Sequence, residues 1–132
     1  MIDENLLFSS ITELAPRIKS RQISPVELTR AYLDRIERIS PKLNAFETVT
    51  HGVALYQARV AEQEINGGHY RGPLHGIPWG VKDLFSVKGA PTTWGAEDFQ
   101  NQVIDVDAEV VVRLREAGAV LIAKLATGRF AN

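Results

Sequence analysis

Apolar and polar positions along this chain follow two periods, and the changes of period mark its elements. Ile11, Leu14, Ala15 and Ile18 recur at helical spacing and make one apolar face. Ser10-Ile11-Thr12-Glu13 has the form of a capping box, so a helix opens there. Pro16 falls inside that face and predicts a kink or a broken first turn, because proline removes a donor and crowds the turn before it. Ser24-Pro25-Val26-Glu27 is a stronger start signal: an N-cap serine, proline at the first helical position and glutamate at the third. The helix it opens runs to about Ile39, with Leu28, Tyr32, Ile36 and Ile39 along one side. Ser40-Pro41 ends it, since the residue before proline avoids helical geometry.

Residues 45–49 are a short strand candidate, with Phe46 and Val49 as its apolar members. A third helix covers residues 53–65 and closes at Asn66-Gly67-Gly68. Its alanines, Ala54, Ala58 and Ala61, permit close approach to whatever lies beneath. A second strand spans residues 77–85. Asp107 caps a helix whose inner face includes Val110, Val111 and Leu114, and Gly118 ends it. Residues 119–123 are a continuous apolar run, the signature of a strand buried on both faces. Strand, helix, strand in that order predicts parallel pairing through a crossover. Residues 86–106 form a long loop, and loops of that length are usually functional or mobile. Thr127 can cap a further helix with Arg129-Phe130-Ala131 in its first turn. The chain ends within one turn of that point, which predicts a truncated chain. The expected fold class is α/β, with helices on a mixed, largely parallel sheet.

Composition narrows the partners. The chain has 132 residues, 45% hydrophobic and 23% charged, with a net charge of −1 and no cysteine. These are values of an ordinary globular domain or part of one. The balanced charge gives no reason to expect nucleic acid or an anionic membrane. Without cysteine there is neither a disulfide framework nor a thiolate zinc site. The acidic start, Met1-Ile2-Asp3-Glu4-Asn5, lacks the basic region of a signal peptide, and no apolar run approaches the roughly 20 residues of a membrane span. The cytoplasm is the expected location.

Several chemistries find no support. His51, His69 and His75 show no metal-ligand spacing, and each is expected in a loop or at an element end. There is no G-x-S-x-G elbow. Gly67-Gly68, Gly72 and Gly76 match neither a phosphate loop nor a dinucleotide fingerprint and read as turns. Arg35, Glu37 and Arg38 read as a solvated face. Trp79 and Trp94, with few basic neighbours, read as core or pocket wall rather than a base-stacking platform. No cofactor or metal is expected.

One residue stands apart. Lys82 follows the apolar run Ile77-Pro78-Trp79-Gly80-Val81. Desolvation disfavours a charged amine, and a lysine that loses its proton near neutral pH is a usable base. Two readings are open. In one, Lys82 is a strand-end lysine with a buried stem and an ammonium in water. In the other it is a buried catalytic base. In a regular strand Gly80 and Lys82 share a face opposite Trp79, Val81 and Asp83, and Gly80 leaves open space beside the amine. Asp83 either braces the strand end or pairs locally.

The flanks of Lys82 carry a resemblance. Residues 72–78 (GPLHGIP), Val81-Lys82-Asp83, residues 89–95 (GAPTTWG), Asp107-Ala108, residues 113–119 (RLREAGA) and Ala123-Lys124-Leu125 occur in this order. Upstream stand residues 24–28 (SPVEL) and 43–46 (LNAF). Together they resemble the amidase signature family over nearly the whole chain. The resemblance implies a Ser-cis-Ser-Lys triad in which Lys82 takes a proton from a bridging serine, which in turn activates a nucleophilic serine. An amide carbonyl is then attacked, an amine leaves, and water releases the acyl group. The same resemblance places both serines downstream of Asn132. Ser9 and Ser86 match neither.

So read, residues 1–132 are one incomplete domain, the N-terminal portion of an amidase fold. Residues 1–70 are mainly helical, and residues 71–132 begin the sheet core and carry the lysine strand. The parent acts on a small-molecule amide. The chain alone is expected to be inactive, and to self-associate or turn molten through uncovered strand edges. The segment at residues 123–130 (AKLATGRF) departs from the Gly-Lys-Thr-Asn form typical of glutamine-hydrolysing amidotransferase subunits, which favours a stand-alone amidase. The glutamine-hydrolysing component of a tRNA-dependent amidotransferase, a non-catalytic module on the same scaffold, and a fragment without function of its own are the alternatives.

Overall fold

Three strands frame the fold: Phe46–Val49 (β1), Pro78–Lys82 (β2) and Val120–Leu125 (β3). The computed structural model that shows them describes residues 2–132. Their order in space is β1-β3-β2, with β3 parallel to β2 and antiparallel to β1. The sheet is therefore mixed, and the chain passes from β2 to β3 through the helix Glu109–Glu116 (α4), giving the parallel pairing expected of that order. Residues 120–124 of β3 are all buried, as a central strand covered on both faces must be. β2 is shorter than the pattern predicts. Phe85 N–H donates to the Lys82 carbonyl and Trp94 N–H to the Asp83 carbonyl, so the ladder stops at Lys82 and a turn takes over.

Four helices surround the sheet. Ile11–Lys19 (α1) is capped by Ser10, whose side chain accepts from Glu13 N–H. Pro16 lies within it and does not break it. Pro25–Leu43 (α2) starts at the Ser24 cap. It does not stop at Ser40-Pro41 but runs on to Leu43, where Asn44 adopts a left-handed conformation (φ 49°) and closes it. A proline so near the end deprives only the carbonyl four residues earlier, that of Glu37, an exposed residue that water can serve. His51–Asn66 (α3) begins two residues before the predicted start. Thr50 precedes it without a side-chain cap, because its hydroxyl donates to the Leu121 carbonyl at 2.8 Å. α4 is likewise not capped by Asp107. Ala108 holds the cap position, while the Asp107 carboxylate accepts from Lys88 N–H and pairs with Arg115. Of its predicted inner face only Val111 is buried. Short 3₁₀ turns occupy Glu4–Phe8, Glu97–Phe99 and Arg129–Ala131, the last with Gly128 rather than Thr127 at its cap.

Apolar packing lies on both faces of β3. On one, Val26, Leu33 and Ile36 of α2 and Ala54 and Ala58 of α3 meet Val120, Ile122 and Ala123. The alanines contribute little area each but let α3 lie close to the sheet. On the other, Leu121 joins Val81, Val87, Ala90 and Val111. A third cluster, Leu14, Ile18, Ile23, Leu28, Ile65 and Ile77, fastens α1 to α2 and α3. Burying a side chain of this size is worth about 1.5–3 kcal/mol, so these clusters outweigh the surface ion pairs, for which about 0–1 kcal/mol is usual.

The register is interrupted once between β2 and β3. Trp79 faces Leu121 but Gly80 faces Ala123, leaving Ile122 as an extra residue on β3. At such a bulge the ladder loses partners. Here Gln57 Oε1 accepts from Leu121 N–H at 2.8 Å and Thr50 donates to the Leu121 carbonyl. Helix α3 thus completes the hydrogen bonding of the sheet.

Candidate active site

Parallel β2 and β3 end side by side, with Lys82 opposite Leu125. In open α/β sheets ligands bind beyond these carboxyl ends. Lys82 is the last residue of β2, and its side chain is exposed. Among the described residues its ammonium enters no ion pair and no hydrogen bond. The reading of a buried amine at this position is therefore corrected. So is the open space beside it: a Cβ on Gly80 would lie 2.8 Å from Leu125 Cδ2. The Leu125 side chain fills the room that glycine leaves.

The lysine that is buried at this edge is Lys124, whose neighbour across the ladder is Val81. Its ammonium lies 2.8 Å from Asp83 Oδ1 and donates to the Pro91 carbonyl and Thr92 Oγ1, each at 2.9 Å. Both side chains of the ion pair are fully excluded from solvent. Lys124 thus has two hydrogen-bond acceptors and a counter-charge in ion-pair contact, and a buried charge needs such partners. Asp83 Oδ2 accepts from the Thr93 amide at 3.1 Å and from the Thr93 hydroxyl. Asp83 N–H donates to the Leu125 carbonyl at 2.9 Å. The expectation that Asp83 braces or pairs is resolved in favour of both.

The loop over residues 86–106 is ordered by this pair. Lys124 holds it at Pro91 and Thr92, Asp83 at Thr93 and Trp94, and Pro91 bridges to Val103. Trp94 and Gly95 both have positive φ, 56° and 73°, and a Cβ on Gly95 would lie 2.4 Å from the Gly128 carbonyl oxygen. Only glycine permits that approach of loop to chain end. Phe130 N–H donates to the Trp94 carbonyl, and Phe99 packs between the Trp94 and Phe130 rings.

The remaining candidates lie elsewhere. Trp79 packs against the cluster around Val81 and Leu121, a wall as read from sequence. His51 opens α3 and lies 3.3 Å from Glu37; His69 is exposed. His75 lies in a turn, as expected, and is completely buried there. Its Nδ1 accepts from Arg71 N–H at 2.9 Å, which puts the ring proton on Nε2, 3.2 Å from Glu64 Oε1. Burial lowers the His75 pKa, although the Glu64 hydrogen bond works against that shift. The hydrogen bond from Arg71 holds the Glu64 carboxyl below its usual range. This is a joint between α3 and the β2 approach, away from Lys82. Among the described residues no three His, Asp or Glu side chains gather to hold a metal. No described helix is long and apolar enough to cross a membrane.

Sequence reasoning missed Lys124, Thr92 and Thr93. The signal was present, since Lys124 stands between Ala123 and Leu125 inside an apolar strand. The desolvation argument applied to Lys82 holds there with greater force.

The family model described as Amidase matches residues 27–132. This chain belongs to the amidase family. AmiD of Mycobacterium tuberculosis, a protein classed by name with the amidases, is 45% identical over 126 residues, covering 95% of this chain and 26% of that protein. A glutamyl-tRNA(Gln) amidotransferase subunit of Geobacter sp. (strain M21) is 43% identical over 122 residues, covering 92% and 25%. The crystal structure of the peptide amidase of Stenotrophomonas maltophilia superposes with a TM-score of 0.89 at 34% identity, over 95% of this chain and 26% of that one. The chain thus spans about a quarter of the length of the curated amidase relatives it matches. Its helices and mixed sheet are a portion of the amidase fold.

Proposed function

We propose that this chain is the lysine-bearing part of an amidase and that Lys82 is its proton acceptor. One observation carries the reading: Lys82 ends β2 at the carboxyl edge of the sheet with its amine unpartnered, while the other lysine of that edge is consumed by an ion pair. A base must have a free lone pair within reach of the proton it takes. In this reading Lys82, when it has given up its own proton, accepts the proton of a bridging serine, which takes the proton of the nucleophilic serine as its oxygen attacks the amide carbon. The tetrahedral intermediate collapses, the C–N bond breaks, and the amine leaves carrying a proton returned through the same relay. Water then cleaves the acyl-serine ester. Both serines lie outside the 132 residues. The substrate is a small carboxylic amide, and the chain alone is inactive.

A second reading has its own support: similarity to the amidotransferase subunits nearly equals that to AmiD. Against it stands Ala126-Thr127-Gly128 after β3 in place of the form those subunits typically carry.

The test is amide hydrolysis by the chain alone and by the serine-bearing protein that contains it. The reading expects turnover in the second only, without tRNA. Turnover by the chain alone would overturn the assignment, and activity only with charged tRNA would select the second reading.

A further inference from the structure

We infer that the Lys124–Asp83 ion pair is a positioning device for Lys82, holding the strand end from which a base must act. This rests on the assignment of Lys82 made above. The geometry comes first. Asp83 is the residue after Lys82; its backbone groups and one carboxylate oxygen are hydrogen-bonded, while the other oxygen, Oδ1, has only the ion-pair contact with Lys124. Its amide donates to Leu125 of β3, its carbonyl accepts from Trp94, one carboxylate oxygen lies on Lys124 and the other on Thr93. The Lys82 carbonyl accepts from Phe85 N–H. Backbone on both sides of the Lys82 side chain is therefore fixed to β3 and to the loop. Lys124 in turn ties that loop at Pro91 and Thr92.

Energetics argue against stability as the reason for the pair. Two charges with no solvent exposure lose their hydration, and a buried ion pair can often be replaced by uncharged groups of similar volume at little cost. What it supplies is direction: a charged partner at 2.8 Å and a carbonyl acceptor at 2.9 Å admit one arrangement and reject small displacements. A base displaced by about 1 Å can lose on the order of 10²-fold in rate. The pair stands where such a displacement would arise, one residue beyond the amine.

The test uses the serine-bearing protein, with three variants compared by steady-state amide hydrolysis and thermal melting. Lys82→Ala is the control for the assignment. Asp83→Asn with Lys124→Met removes both charges, while the Asn amide oxygen still accepts from Thr93. Lys124→Arg keeps the charge with altered geometry. The inference expects the double variant to melt like the parent but lose about 10- to 100-fold in kcat, with KM within about twofold, and Lys124→Arg to recover only part of the loss. A double variant that is folded and has parental kcat would overturn the inference. So would a loss in kcat that comes with a clearly lowered melting temperature, which marks a merely structural pair. Should Lys82→Ala retain activity, the assignment of the base fails instead, and the two failures are told apart by that control.

Discussion

Lys124 Nζ and Asp83 Oδ1 lie 2.8 Å apart, both fully buried, one residue from the exposed Lys82. Two lysines near the carboxyl ends of neighbouring parallel strands thus stand in opposite states. Lys124 is desolvated and lies against its counter-charge, and Lys82 is exposed.

Removing one member of the pair should cost far more than removing both. Lys124→Met leaves the Asp83 carboxylate buried without its counter-charge and is expected to destabilise by about 3–5 kcal/mol. Adding Asp83→Asn should recover most of that. Urea midpoints at fixed protein concentration check this, and additive losses would contradict the coupling.

The fold was legible where local chemistry and long-range packing agree. Ser24-Pro25-Val26-Glu27 starts a helix wherever it stands, and the all-apolar run ending at Ala123 has to be a central strand. Pro41 misled because its penalty depends on where the helix is going to end, which Asn44 decides by accepting a left-handed backbone. The space at Gly80 was misread because the bulge at Ile122 is invisible in a strand taken alone, and because Leu125 comes from a segment far along the chain. Asp107 looked like a cap, but a carboxylate prefers an arginine and an amide that only folding brings near. Lys124 stood in a more apolar run than Lys82 and was passed over because its partner Asp83 lies far away in the sequence.

Gly80→Ala should crowd Leu125, whose Cδ2, Cγ and Cδ1 would lie 2.8, 3.1 and 3.2 Å from the new methyl. Overpacking of this kind costs about 1–3 kcal/mol. In a Leu125→Ala background the same change should cost less than half as much. Equal costs in the two backgrounds, by denaturant titration, would show that the contact is not what keeps Gly80 small.

Acid should weaken the fold in two stages. Burial lowers the His75 pKa below the 6.5 of a free histidine, so the unfolded chain binds that proton more readily. Its contribution is complete above pH 6.5 and declines as pH falls towards the folded value. Glu64, lowered by Arg71, keeps its contribution above the 4.5 of a free glutamate and loses it below. Arg71 and His69 also face this joint and oppose a charged His75. His75→Gln should therefore flatten the pH dependence of the urea midpoint as pH falls below 6.5, while sparing the stage below pH 4.5. An unchanged profile would contradict the buried neutral histidine.

The isolated chain exposes Phe8, Leu43, Tyr56 and Phe130, and β2 offers one open edge. Open edges and apolar surface recruit other chains. Light scattering should show association that grows with concentration, or near-UV circular dichroism should show weak tertiary signals. A monodisperse monomer with sharp signals would mean that these residues form a self-sufficient domain.

The most direct measurement is kcat of the serine-bearing protein with Lys82→Ala, beside its melting temperature. An exposed, unpartnered lysine contributes little to folding, so stability should change by no more than about 0.5 kcal/mol. Loss of a general base should lower kcat by about 10²- to 10⁴-fold, and Lys82→Arg should not restore it, because a guanidinium keeps its proton. A stable Lys82→Ala protein with near-parental kcat would contradict the account.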